Sequence, residues 1–222
     1  MSEDRTEEPK APRRQARGER RIAQLLQAAA NVFCANGYTA SSTNAIAREA
    51  HVSPGTLYQY FPNKEAIAIE LGERLLQEMR EAHGQAFTPE NLALPLPALL
   101  DVVVDPMIEF NCENPVFLAL MHGSEVPGRI AEEHDALHAS LLARVQEVIA
   151  HYAPDLSERE RARVADMTFV TFKGGLELIL AAPEGAERNA TIAELKTLLL
   201  RYLGPLTDGP SPQPSVTTTP SR

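Results

Sequence analysis

Apolar residues recur three and four positions apart along nearly the whole chain, and that spacing commits it to helices. Ile22, Leu25, Leu26, Ala29, Val32 and Phe33 line one face of a first helix expected near residues 18–36, and Gly37 is placed to end it in a left-handed cap. Ser42 or Thr43 can cap a short second helix that buries Ile46, Ala47 and Ala50 and stops at His51. Ser53 then reads as an N-cap and Pro54 as the first helical position of a third helix. Leu57 and Phe61 form its inner face and Pro62 ends it. Asn63 caps a longer helix that carries Ile67, Leu71, Leu75 and Met79 to about Gly84. Further helices are expected near 96–112, 115–122, 126–152, 157–181 and 187–203, with Pro106 kinking the first of them at Asp105. No segment alternates with the period of a strand, and no internal repeat is visible. The expected fold is all-α, with about nine helices.

The two ends lack this periodicity. Residues 1–17, rich in Glu, Pro and Arg, read as a disordered basic arm, and residues 205–222, rich in Pro, Ser and Thr, as a disordered tail. Met1 to Arg21 has no apolar core that could make a secretory signal, and runs such as Leu94 to Val104 are too short to span a bilayer. A cytoplasmic protein is therefore expected. Cys34 and Cys112 fit a reducing compartment and read as two small buried hydrophobes rather than a redox pair.

The net charge of -9 conceals a strong asymmetry. Residues 10–64 hold eight bases against two acids, a net of +6, whereas residues 65–222 hold 12 bases against 24 acids. The basic part contains two short helices joined by a tight turn and braced by the first helix, which is the layout of a helix-turn-helix. On its second member Thr56, Gln59 and Tyr60 share a face opposite Leu57 and Phe61. Thr and Tyr hydroxyls can donate to phosphate oxygens, and Gln can read an adenine edge. Gly55 leaves room where a helix start would press on a DNA backbone. Lys64, a cation in the first turn of a helix, opposes the macrodipole unless an anion binds there, and Glu65 partly offsets it. The same residues also fit a plain helical hairpin with exposed tyrosines.

Gly37-Tyr38, Ser41-Ser42, Ile46-Ala47, Ala50, Val52-Ser53, Gly55-Thr56-Leu57-Tyr58, Tyr60-Phe61 and Lys64-Glu65 together resemble the DNA-binding signature of the TetR (tetracycline repressor) family over roughly Arg20 to Ile67. The resemblance implies an N-terminal helix-turn-helix domain, taken here as residues 18–65, and a larger helical ligand-binding and dimerisation domain over residues 66–204. It implies phosphate contacts from Ser42, Tyr58, Tyr60 and Lys64, with Asn44, Pro54, Gly55, Thr56 and Gln59 near base edges. Thr43 and Ser53 complete the candidate DNA-binding set. Two positions depart from the pattern: Thr43 stands where an aliphatic residue is usual, and His51 where the turn usually has Gly and often needs positive φ.

The acidic part is less legible. Met107, Phe110, Phe117, Met121, His122, His138, Phe169 and Phe172 lie on helices that the resemblance places around a ligand cavity, although such a stripe also fits an ordinary core. A small, largely apolar effector is expected, with His122 or His138 as its polar handle. His134 and His138 are four apart, but a metal site is not expected there, and nothing in the sequence calls for a cofactor. The resemblance favours a homodimer through the last two long helices, by way of Phe172, Leu176, Ile179, Leu180, Ile192, Leu195, Leu199 and Tyr202. Two such stripes can instead bury each other within one chain. No Ser, His and acid set, metal triad or glycine-rich phosphate loop stands out, so no catalytic residue is assigned. The expected function is a transcriptional regulator, a repressor that binds a palindromic operator as a dimer and is released by its effector. The alternative keeps the DNA-binding dimer but leaves it constitutive or under a protein partner.

Overall fold

The computed structural model describes residues 11–121 and 127–207. Ten helices follow one another there, and no strand occurs among the described residues: α1 (Ala11–Ala40), α2 (Thr43–Glu49), α3 (Pro54–Tyr58), α4 (Lys64–Ala86), α5 (Pro89–Leu92), α6 (Leu96–Glu113), α7 (Val116–Met121), α8 (Gly128–Tyr152), α9 (Glu158–Ala181) and α10 (Ala186–Thr207). The caps follow the sequence closely. Ser42 accepts from the Ala45 amide, Ser53 from Thr56, Asn63 from Ala66 at 2.8 Å and Ser157 from Glu160 in a full capping box.

Several features differ from expectation. The first helix begins at Ala11, so residues 11–17 are helical rather than part of a disordered arm. Ala, Arg and Gln are good helix formers and need no apolar stripe to continue a helix already nucleated downstream. The last helix runs on to Thr207 through Pro205, which removes only one amide donor in the closing turn. α5 is additional, a single turn capped by Thr88 with Pro89 at its start. Cys34 is exposed rather than buried, and Cys112 is half-buried. The helix containing Pro106 is continuous over Leu96–Glu113.

Gly37 interrupts α1 with φ 74 and ψ 163, a conformation essentially restricted to glycine and distinct from the left-handed helical cap expected there. The buried Ser41 hydroxyl donates to the Gly37 carbonyl at 2.6 Å and holds the break.

The chain forms two compact units, each discontinuous in sequence. One comprises residues up to Glu78 together with Asn114–Asp135. Its α1 packs against α2 and α7, with Leu25, Ala29, Phe33, Ile46, Leu57, Ile67 and Leu120 wholly or almost wholly buried. Gly72 lies close under Ile130: a Cβ there would meet its Cδ1 at 3.0 Å.

The other unit comprises Met79–Glu113 and the residues from Ala136 onward. Leu96, Leu100, Val104 and Ile108 of α6, Leu176 and Ile179 of α9, and Leu195, Leu199 and Leu203 of α10 form one core cluster. Gly175 sits where a Cβ would come within 2.5 Å of the Leu195 side chain, so any larger residue there would force Leu195 to move. Lys196 bridges from α10 to Asp101, at 2.9 Å, and to Asp105 on α6. His83 is 8% exposed, and its Nδ1 has no hydrogen-bond partner among the described residues. Burial first, and the Arg144 guanidinium second, push its pKa down to about 4, so it is neutral at neutral pH.

Candidate functional site

The α2–α3 pair presents the candidate polar residues on its outer side while Ile46, Ala47, Ala50, Leu57 and Phe61 are buried beneath them. Ser42, Asn44, Ser53, Pro54, Gly55, Tyr58, Gln59 and Tyr60 are exposed, and Thr43, Thr56 and Lys64 are half-buried. Two of the hydroxyls are already joined to each other within α3 and its cap. Ser53 Oγ accepts from the Thr56 amide and shares a 2.9 Å hydrogen bond with the Thr56 hydroxyl, which draws Thr56 toward the cap. Gly55 is open: an added Cβ would meet only Ser53 Oγ, at 3.8 Å. α3 is five residues long, because the hydrogen bonds from the Tyr60 and Phe61 amides to the Leu57 carbonyl close it just before Pro62. Gln59 and Tyr60 therefore sit at its very end.

Lys64 has a second role that the sequence did not reveal. Its Nζ donates to the carbonyls of Tyr38 at 2.8 Å and Thr39 at 3.1 Å, and it lies 4.4 Å from the centre of the Tyr38 ring. The carbonyl-rich end of α1 thus supplies the negative partner that a first-turn cation lacks in its own helix. His51 adopts φ 53, the one positive φ among the described non-glycine residues, as the missing turn glycine led one to expect. A left-handed residue costs roughly 1–2 kcal/mol with a Cβ, and glycine returns about 0.5–1 of that as entropy. His51→Gly should therefore raise stability by about 0.5–1 kcal/mol, read as a melting temperature higher by about 2 °C.

The eight candidate ligand residues do not gather in one place. In the second unit a cavity of about 80 Å³ is walled by residues of α6, α8, α9 and α10 together with Phe87, and of the eight it includes only Met107, Phe169 and Phe172. His138 stacks edge-on against Phe169 at 4.2 Å but is not part of the wall, and Phe110 is buried on α6. Phe117 and Met121 belong to the first unit, where Phe117 packs against His134. His122 lies outside the described residues. Most of the wall is aliphatic, including Leu99, Val103, Leu141, Val145 and Val148, a stripe that a search for aromatic, Met and His residues passes over. Among the described residues of the wall the one polar side chain is Thr168, whose hydroxyl donates to the Val164 carbonyl at 2.7 Å. Among the described residues the wall therefore offers no histidine handle.

The proposed dimer residues are also redistributed. Leu176, Ile179, Leu195 and Leu199 are buried inside the chain's own core, and Phe172, Leu180 and Ile192 pack against it. Of the set, Tyr202 stays exposed. The large apolar side chains left open on these two helices are Met167, Val170 and Leu178 of α9 and Leu198 and Tyr202 of α10. Met167, Val170, Gly174 and Leu178 follow one another at helical spacing, so they make a continuous stripe.

Two family models match this chain. That described as "Bacterial regulatory proteins, tetR family" covers residues 25–71, and that described as "Tetracyclin repressor-like, C-terminal domain" covers residues 95–203. A fatty acid metabolism regulator protein of Bacillus subtilis is 39% identical over 79 residues, which is 32% of this chain and 39% of that protein. The chain spans less than half the length of the curated relatives it matches. Among solved structures, the TetR family transcriptional regulator PfmR of Thermus thermophilus superposes with a TM-score of 0.63 at 18% identity, over 85% of this chain and 99% of that one. The fatty acid degradation regulator FadR of Bacillus halodurans gives 0.55 at 19% identity, over 85% and 95%. At such identities the structural likeness concerns the fold.

Proposed function

Since the chain belongs to the TetR family of bacterial DNA-binding transcriptional regulators, we propose that it is a repressor that grips a palindromic operator as a homodimer and lets go when a small, largely apolar effector binds. The observation that carries this reading is the exposed polar surface of α2 and α3, built over a fully buried apolar underside in the basic part of the chain. Ser42, Tyr58, Tyr60 and Lys64 are proposed for phosphates, and Asn44, Pro54, Gly55, Thr56 and Gln59 for base edges, with Thr43 and Ser53 supporting them. In a dimer two such heads would meet successive major grooves about 34–36 Å apart.

The aliphatic cavity supports an effector whose inner part is hydrocarbon, because the described wall carries one polar side chain, Thr168, and its hydroxyl proton is already given to the Val164 carbonyl. Three of the similar proteins carry fatty acid regulation in their names, which favours an alkyl chain over a compact aromatic. Effector binding would release DNA to the extent that it favours one head spacing over another. A ligand-independent dimer remains the second reading. Raised melting temperature and release of DNA by alkyl compounds of graded length would support the first, and silence across the series would favour the second.

DNA binding itself is tested by selection from a random duplex pool followed by titration with salt. The protein should enrich a near-palindrome and lose affinity steeply as salt rises. Absence of any salt-dependent binding would end the assignment. Gln59→Ala should cost roughly 1–3 kcal/mol at one base pair per half-site and relax preference there, with other positions unchanged.

A further inference from the structure

We propose that Thr43 is a positioning residue for the Tyr58 phosphate contact: its hydroxyl donates to the phenol oxygen and so aims the phenol proton at an operator phosphate. The inference rests on the DNA-binding reading above. Thr43 Oγ1 and Tyr58 Oη lie 3.0 Å apart, joining the first residue of α2 to the last of α3. Two hydroxyls carry two protons, and only one fits between them. The phenol is the stronger acid, so the favourable arrangement has threonine donate inward and tyrosine outward to the anion. Accepting from threonine polarises the phenol O–H further. Tyr58 is 52% exposed, which leaves that proton accessible from outside.

The bond is surplus to local folding. Ser42 already caps α2 and Ser53 already caps α3, through the Ala45 and Thr56 amides. Leu57 and Phe61 already anchor the element from beneath. What the Thr43 hydroxyl adds is direction: as a β-branched residue it is stiff at χ1, so it fixes the phenol in one orientation before DNA arrives. A contact made by a preorganised group loses less entropy on binding than one made by a free rotor.

The test uses the full chain and a duplex that it has itself selected from a random pool, with Thr43→Val, Thr43→Ser, Tyr58→Phe and the double variant Thr43→Val/Tyr58→Phe. Thr43→Val keeps the shape and should weaken binding roughly tenfold per dimer, about threefold per subunit, at unchanged melting temperature. Thr43→Ser keeps the hydroxyl but not the stiff branched stem, so it should bind between the parent and Thr43→Val. In the Tyr58→Phe background Thr43→Val should have no further effect, since the proton it aims is gone. An equal loss from Thr43→Val in both backgrounds would show that threonine acts by itself and overturn the proposal. So would full affinity in Thr43→Val, or a loss of affinity matched by a fall in melting temperature, which would make Thr43 a strut between the helices. A parent protein that selects no duplex at low salt removes the DNA-binding reading itself, an outcome distinct from the others.

Discussion

Val170→Lys combined with Leu178→Lys should leave the protein monomeric and weaken its grip on a selected duplex by about two orders of magnitude or more. Both side chains are 66% exposed on α9, within the apolar stripe that also carries Met167, and α10 leaves Leu198 and Tyr202 open as well. Scattered exposed apolar residues are ordinary, but an apolar stripe running along one face of a helix is the mark of an interface. In a two-fold dimer the same stripe meets itself, so each lysine would face its own copy or a neighbouring apolar group, at the cost of burying a charge. The monomer fold should survive, because neither residue belongs to the chain's own core. Each freed head would then engage one half-site alone and lose the effective concentration that linkage to a second head provides. Sedimentation equilibrium and DNA titration on the same samples check both halves of the expectation. A double variant that stays dimeric, with undiminished affinity, would place the interface elsewhere.

Acidification from pH 7 to pH 4 should cost the protein about 3 kcal/mol through His83 alone. In the unfolded chain this imidazole takes up its proton near the ordinary value of 6.5, whereas in the folded state burial and Arg144 hold the pKa down to about 4. Between those values the unfolded state binds a proton that the native state refuses, so stability falls as pH falls. Above about 6.5 the contribution is complete, and below about 4 no further loss comes from this group. His83→Phe keeps a ring in the buried site and removes the titration. Its denaturant midpoint should therefore be flatter than the parent's over that window, with the two curves diverging most near pH 4. Parallel curves would mean that His83 is not the group that sets the acid limb.

The differences between sequence and structure have physical causes that particular residues display. Caps are local, so Ser42, Ser53 and Asn63 could be read directly, and with them the starts of α2, α3 and α4. The α2–α3 surface was legible for the same reason: a five-residue helix that starts on Pro54 and is followed by Pro62 leaves little freedom in what faces outward. α9 shows the limit. Ala165, Phe169, Phe172, Leu176, Ile179 and Leu180 point toward the chain's own core, while Met167, Val170 and Leu178 are on the other side. Apolar residues thus cover more than one face of the helix, and periodicity alone cannot say which face the chain covers for itself. The strongest stripe turned out to be the internal one, and the weaker one was left open. The Lys64 clamp on Tyr38 and Thr39 joins residues 25 and 26 positions apart, beyond the reach of any local rule. The cavity wall escaped notice because its leucines and valines are the commonest core residues and carry no chemical mark.

The sequence order of the first unit sets a timetable for synthesis. α1, α2 and α3 leave the ribosome first, yet α1 packs on α7, and the unit draws its remaining residues from Asn114–Asp135. When residue 78 has been made, the face of α1 that α7 will cover is still bare, and it stays so for several seconds at about 5–20 residues per second. The head that would hold DNA is thus begun first and finished only after the whole Met79–Glu113 stretch has been translated. A nascent chain arrested shortly after residue 78 should be digested by protease within α1, and one arrested well beyond residue 135 should resist.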